Sequence, residues 1–366
     1  MVIGIPKEIK TEEYRVALTP TGAKEMTSRG HRLLCEAELG MGSGFPDVEY
    51  VQAGAELCSR KRLFNESELI VKVKEPIEEE YGLFSPGQAL FTFLHLAPNP
   101  GLTRMLLEGG ISAFAYETLE DKETLPLLTP MSEVAGSMAP LVGSYFLQKP
   151  YGGRGVLPVG AAGVPPANTI ILGAGVVGSS SLRVAHAIGS RVTVLNRSDK
   201  RLRRIEKDYK DDVKTALLTS DNIESHLREA DLVVGATYML GARTPSLVTK
   251  GMLTLMKKGA VVVDVSIDQG GCFETSRPTT HMAPTYEVEG IIHYAVANMP
   301  GAYPRTSTLA LTNATLPYLI RLAELGVGNA AREDKALRTA LNIYQGNVTH
   351  RGLADSTGLP LVDIAT

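Results

Sequence analysis

The segment TIILGAGVVGSSSLRVAHAIGSRVTVLNRS, residues 169–198, constrains this chain more than any other. An apolar β run at 169–172 leads straight into Gly173, Gly175, Val177 and Gly178, a G-x-G-x-x-G turn that opens a helical pattern reaching Ile188. A second β run follows at 192–195. The first glycine permits the tight turn, the second lets the backbone approach a pyrophosphate, and the third lets helix and strand pack closely. The helix N-terminal amides then face the phosphates. Strand, turn, helix and second strand fall in register, so the segment reads as the βαβ unit of a dinucleotide-binding domain.

The runs around it carry the same rhythm. A charged helical stretch at 199–208 precedes further buried strand runs at Leu232–Gly235 and 260–265. The first third has strand runs at Val2–Ile5, 69–73, 89–94 and 112–116, and a short helix at Pro20–Ser28 with proline at its start. Strands alternating with helices imply a mainly parallel sheet. After Pro304 the pattern turns helical, and 309–325 is mostly apolar with Pro317 inside; beyond Gly326 it is mixed and uninformative. The expected fold is α/β, with two doubly wound domains around an interdomain cleft. A Rossmann-type cofactor domain at 131–303 interrupts a discontinuous substrate domain at 1–130 and 304–366.

At 366 residues the chain is long enough for two such cores. Its 37 Lys plus Arg against 40 Asp plus Glu give a net charge of −3, without the basic excess of a nucleic-acid binder. Cys35, Cys58 and Cys272 are too few and too scattered for a disulfide frame or zinc site. The seven histidines show no ligand spacing, so no metal is expected. MVIGIPKEIKTEEYR lacks the apolar core of a signal peptide. The uncharged run 155–182 is long enough to span a membrane, but Pro158, Pro165, Pro166, Asn168 and its glycines make it a loop, a strand and a turn. A cytoplasmic protein without a membrane partner is the expectation.

An acidic residue usually closes the second strand of the fingerprint and binds the ribose hydroxyls. Here that place holds Asn196, followed by Arg197, Ser198 and Arg201. Asparagine does not repel a 2′-phosphate, and Arg197 would pair with one. NAD is the expected cofactor and NADP the alternative.

Four polar residues stand out among apolar or tight-turn neighbours. Arg15 lies in EYRVALTP, Lys74 ends IVKVKEP two residues after Lys72, His95 lies in LFTFLHLAP, and Asp268 lies in VVVDVSIDQGG after Asp264. Open α/β sheets place ligands at strand ends. Arg with Lys suits a small carboxylate, and His with Asp suits proton transfer. Singly, each also has a plain structural explanation: a satisfied histidine, a solvated strand-end lysine, a turn aspartate. Periodicity does not separate Lys72 from Lys74. The residue types alone yield an NAD(P)-binding oxidoreductase with a small acidic substrate.

GIPKEIKTEEYRVALTP, VKVKEP, FTFLHLAP, AYETL, PLLTPMSEVAG, GGRGVL, GAGVVG, VVDVSIDQGGCFETSRPTTH and VANMPGAYPRTSTLALTNATLP together resemble the bacterial alanine dehydrogenase family, which also holds transhydrogenase α subunits. The likeness runs nearly the whole chain and is weakest in the last 40 residues. It implies reversible oxidation of L-alanine to pyruvate and ammonia with NAD, in a homohexamer. By position it implies Arg15 and Lys74 as substrate-binding, and His95 and Asp268 as catalytic proton-transfer residues. For the cofactor it implies Ser132, Asn196, Arg201, Val265, Ser266, Ile267, Asp268, Val296, Ala297, Asn298 and Met299, beside the fingerprint and Arg197. Asn196 stands where the family has Asp, and Thr237 and Tyr238 where it has two aliphatic residues. Rival readings are a related enzyme acting on lysine or saccharopine, a transhydrogenase subunit, and a non-catalytic NAD(P)-binding protein.

Overall fold

Short runs of β-branched, leucine and aromatic residues make the strands, and six of these are buried along their whole length. A computed structural model describes residues 1–237 and 246–364. In chain order the strands are β1 (Val2–Ile5), β2 (Arg32–Glu36), β3 (Glu56–Cys58), β4 (Leu69–Val71), β5 (Ala89–Thr92) and β6 (Ser112–Ala115). Then come β7 (Asn168–Leu172), β8 (Arg191–Asn196), β9 (Val213–Leu217), β10 (Leu232–Gly235), β11 (Val261–Asp264), β12 (Thr285–Val288) and β13 (Ile291–Tyr294). The returning chain adds β14 (Leu341–Tyr344) and β15 (Asn347–Val348). Continuous apolar runs such as LIV and ALFT suit parallel strands covered on both faces.

The chain divides into two units, Met1–Met131 with Gly301–Thr366, and Ser132–Pro300. In the first, eight strands run in the order β15-β14-β6-β5-β4-β1-β2-β3. The six from β6 to β3 are parallel, whereas β14 and β15 add an antiparallel edge. The order reverses at β1, which pairs with β2 on one side and β4 on the other. Leu34, Phe64, Ile70, Leu90 and Leu102 belong to its core, each fully buried. A side chain of that size contributes about 1.5–3 kcal/mol on burial.

The second unit has seven strands in the order β12-β13-β11-β10-β7-β8-β9. Only the β12–β13 hairpin is antiparallel. Here the order reverses at β7, between β8 and β10. In both sheets the residues after the strands nearest the reversal occupy the crevice position where open α/β sheets bind ligands.

Both sheets are therefore mainly parallel and doubly wound, as the alternation of strands and helices predicts. The differences lie at element ends and sheet edges. The expected strands 69–73, 89–94 and 112–116 stop at Val71, Thr92 and Ala115: Val73 N turns to Glu8, Leu94 N and His95 N turn to Glu117, and a 3-10 helix begins at Tyr116. The uninformative tail holds a helix (Lys335–Ala340) and two antiparallel strands, of which β14 has Asn342 inside its apolar run and β15 has only two residues. The helix expected around 309–325 runs Pro304–Glu333 and breaks at Gly326, where φ is 75°. Among the described residues no helix is long and apolar enough to cross a membrane.

Candidate functional site

In the Ser132–Pro300 unit, the fingerprint follows β7. Gly173 has φ 115°, and a Cβ there would lie 2.4 Å from Ala236 O. A Cβ on Gly178 would lie 2.0 Å from Gly173 O. Both positions therefore require glycine for the protein's own packing. Gly175 differs: the atom nearest its Cβ position is Arg201 Nη1, at 3.9 Å. Open space at the N-cap of a twelve-residue helix (Val176–Ala187), with no side chain capping it, is the room a pyrophosphate needs. Val177 follows in the first turn, half-buried against the core.

Asn196 ends β8 and is buried. Its Oδ1 accepts from Ala174 N at 3.1 Å and its Nδ2 donates to Ser198 O at 3.2 Å. Arg201 Nη1 donates to Ala174 O at 3.4 Å, so both residues tie down the glycine turn. Arg197 is exposed. Thr237 follows β10; its hydroxyl lies 3.1 Å from Cys272 Sγ, and Ser266 Oγ donates to Thr237 O at 2.6 Å. Tyr238 lies outside the described residues.

Asp264 and Asp268, alike in sequence, separate in structure. Asp264 is buried and accepts from Ser266 N, Cys272 N and Phe273 N and from Ser276 Oγ. Burial pushes its carboxyl up, against those donors, which favour the anion. It staples the loop that carries Val265, Ser266, Ile267 and Asp268. Asp268 itself is exposed, on a one-turn 3-10 helix (Ile267–Gln269) closed by left-handed Gly270. After β13, the Val296 and Met299 side chains face the core, and Thr279 bridges the backbone on either side of Val296. Ala297 is half-buried between them. Asn298 has φ 65°, and its carbonyl lies 3.3 Å from His281 Nε2. Ser132 is half-buried in the helix Thr129–Phe146.

In the other unit, three strand ends, those of β1, β4 and β5, carry the polar residues. The loop after β1 holds Arg15, buried, with Nε and Nη2 on the two oxygens of Glu13 at 2.7 and 2.5 Å. Its Nη1 lies 3.0 Å from Met131 Sδ. Beyond β4 the two lysines part. Lys72 is fully buried, its ammonium 3.0 Å from Glu8 Oε2 and 2.9 Å from Glu80 Oε1. Lys74 is also buried, its backbone held by Glu8 Oε1 at the amide and Thr92 Oγ1 at the carbonyl. Among the described residues its ammonium has no hydrogen-bond or ion-pair partner.

Next to it, Glu75 bonds Lys10. Burial pushes the Glu75 carboxyl up, but the charges of Lys74, His95 and Lys10 outweigh it and hold it below the ordinary range. Lys74 and His95 thus share one carboxylate's neighbourhood. His95, beyond β5, has φ 48° and stacks on Phe93 with centroids 6.0 Å apart.

Residue types alone do not single out Glu8, Glu13, Glu75, Glu117 or Asp264. All five sit in the motifs that carry the family resemblance, but only three-dimensional pairing gives them a task. Among the described residues no group of three or more His, Cys, Asp or Glu is placed to hold a metal ion.

A family model described as alanine dehydrogenase/PNT, N-terminal domain, matches residues 4–135, and its C-terminal counterpart matches residues 139–351. An alanine dehydrogenase of Halomonas elongata is 50% identical over 100% of this chain and 99% of its own length. One of Bacillus subtilis is 48% identical over 99% and 96%. A solved L-alanine dehydrogenase superposes with a TM-score of 0.94 at 44% identity, covering 98% and 99%. A solved transhydrogenase from Sinorhizobium meliloti shares the fold, with a TM-score of 0.81 at 23% identity and coverage of 96% and 99%.

Proposed function

The chain belongs to the alanine dehydrogenase/PNT family, and from that premise we propose that it is an NAD-dependent alanine dehydrogenase. It oxidises L-alanine at the CH–NH2 group, and L-alanine, NAD and water give pyruvate, ammonium, NADH and a proton, reversibly. Its substrate domain is 1–130 with 304–366, and its cofactor domain is 131–303. One observation carries the substrate side of the reading: Lys74 is buried and, among the described residues, its ammonium has no hydrogen-bond or ion-pair partner, two residues from a lysine that has two.

When bound, the nicotinamide accepts the hydride that leaves Cα. The protein's residues do the rest. Arg15, its Nε and Nη2 held by Glu13, offers Nη1 to the substrate carboxylate. Lys74 offers its ammonium to the same group and then to the oxygen that develops into the ketone. His95 and Asp268 share the proton work. One takes a proton from the water that adds to the imine carbon, and a proton is returned to the departing ammonia. The glycine turn and its helix N-terminus hold the pyrophosphate. Thr237, Val265 to Asp268, Val296 to Met299, Ser132, Arg197 and Arg201 would supply the remaining cofactor contacts.

NADP remains open to this chain, because Asn196 stands where a carboxylate would repel a 2′-phosphate. A homohexamer and a cytoplasmic setting complete the reading. The test is absorbance of reduced nicotinamide with L-alanine and either NAD or NADP at matched concentrations. Turnover with L-alanine, and none with L-lysine or saccharopine, is the expected result. Turnover with the long substrates alone, or none at all, would sink it.

A further inference from the structure

Glu117 is part of AYETL, a motif for which the proposed mechanism has no use. It sits on a one-turn 3-10 helix, Tyr116–Thr118, directly after β6. Its side chain reaches the end of β5, the neighbouring strand. Leu94 N donates to both of its oxygens, at 3.2 and 3.2 Å, and His95 N donates to Oε1 at 2.7 Å. The same Oε1 lies 3.6 Å from His95 Nδ1. The carboxylate is 16% exposed, whereas the imidazole is 38% exposed. Among the described residues His95 Nε2 has no hydrogen-bond partner.

The backbone needs this clamp. His95 sits at φ 48°, in the left-handed region that a residue with a Cβ seldom occupies. Such a conformation persists where its surroundings over-determine it. Two amides bound to one carboxylate do that here, and the Phe93 ring limits the imidazole on one face. The ring is thus held with one edge toward an anion and the other free.

We propose that Glu117 is a positioning residue for His95: it fixes the strand end and the Nδ1 edge, so that Nε2 is the atom that exchanges a proton at the substrate. The proposal rests on the reading of His95 as a proton-transfer residue. A carboxylate at Nδ1 selects the tautomer with its proton there and leaves the Nε2 lone pair available. It also stabilises the imidazolium formed when Nε2 takes a proton. At 3.6 Å the contact is ionic rather than a hydrogen bond, and such contacts tighten when substrate binds. Glu75 faces His95 as a second anion, and His350 faces Glu117. Neither makes a hydrogen bond to the imidazole among the described residues.

Glu117→Gln separates the two roles, because its amide oxygen still accepts from Leu94 N and His95 N while the charge is gone. The expected result is a kcat lower by about 10- to 100-fold, with KM for alanine and the cofactor within about two-fold. A second readout follows His95 itself: the tautomer of its imidazole, read by nitrogen NMR of the labelled ring. The preference for the Nδ1–H tautomer is lost in Glu117→Gln, since the carboxylate at Nδ1 is absent. A purely structural glutamate would not move it. Glu117→Asp keeps the carboxylate, restores the preference and recovers part of kcat. Parental kcat and tautomer in Glu117→Gln, beside an inactive His95→Ala, would overturn the proposal alone. Full turnover in His95→Ala would overturn it together with the reading beneath it. Should Glu117→Gln not fold, an unchanged kcat in Glu117→Asp overturns the proposal as well.

Discussion

In the Ser132–Pro300 unit the strand order reverses between β7 and β10; in the other unit it reverses between β1 and β4. Both reversals place loops at strand ends, yet the loops are built from different material. After β7 the loop is glycine, and its steric needs are written in neighbouring glycines, although Asn196 and Arg201 also fasten it. After β1, β4 and β5 the loops carry charges; Arg15 is set by Glu13 two residues away, but Lys72 and His95 are set by carboxylates far away in sequence. Glu8 reaches Lys72, and Glu117 reaches His95. A backbone site is thus specified locally, whereas an electrostatic site is specified by the fold.

Lys72 and Lys74 give the sharpest test of that distinction, and the largest effect. Lys72→Met leaves Glu8 and Glu80 buried without their shared cation, and costs about 3–5 kcal/mol of stability by chemical denaturation. Lys74→Met costs about 1 kcal/mol or less, but lowers kcat/KM for alanine by about 100- to 1000-fold. Cofactor affinity stays unchanged in both. The pH dependence has a definite sign. Burial alone would push the Lys72 ammonium down, but Glu8 and Glu80 outweigh it and raise its pKa. Its stabilisation is therefore fully present below the ordinary lysine value of 10.5 and is lost as pH rises through the higher folded value. Equal stability losses in the two variants would erase the contrast between neighbouring lysines.

These lysines also mark where the sequence stops being legible. Strand runs, fingerprint and fold class follow from periods and glycines, which are local. VKVKEP at strand period two does not tell which lysine is structural, because the answer lies in Glu8 and Glu80. Asp264 and Asp268 pose the same problem, resolved by the amides of Cys272 and Phe273. The family resemblance names Lys74 and Asp268 from each pair, and the partners explain why their neighbours differ. In the last two strands, β14 has Asn342 inside its apolar run and β15 has only two residues, so neither registers as a strand in the sequence.

The glycine turn offers a contrast within the backbone site itself. Gly178→Ala puts a methyl 2.0 Å from a backbone oxygen, so the turn must shift. The expected cost is about 3 kcal/mol of stability together with loss of cofactor binding. Gly175→Ala meets no protein atom closer than 3.9 Å, so its thermal midpoint stays near the parent's. Its methyl instead occupies pyrophosphate space, and the cofactor Kd rises by about ten-fold or more. Calorimetry paired with fluorescence titration separates the two. Similar melting losses in both would mean that Gly175, too, serves only packing.

The smallest effect expected is at Asn196, where backbone and electrostatic specification meet. Its Oδ1 pins Ala174 in the glycine turn, and an aspartate oxygen accepts the same amide. Asn196→Asp therefore keeps the turn and shifts the melting midpoint by only about 2 °C. It adds a negative charge where a 2′-phosphate would sit, while a carboxylate there binds the ribose hydroxyls of NAD. The ratio of kcat/KM for NAD over NADP should rise by about 10-fold, equivalent to about 1.4 kcal/mol. Arg197 and Arg201 remain in place in that variant, so any NADP activity it retains measures what the arginines contribute without Asn196. A ratio that does not move would place adenine-ribose selectivity elsewhere and leave Asn196 as a fastener of the glycine turn.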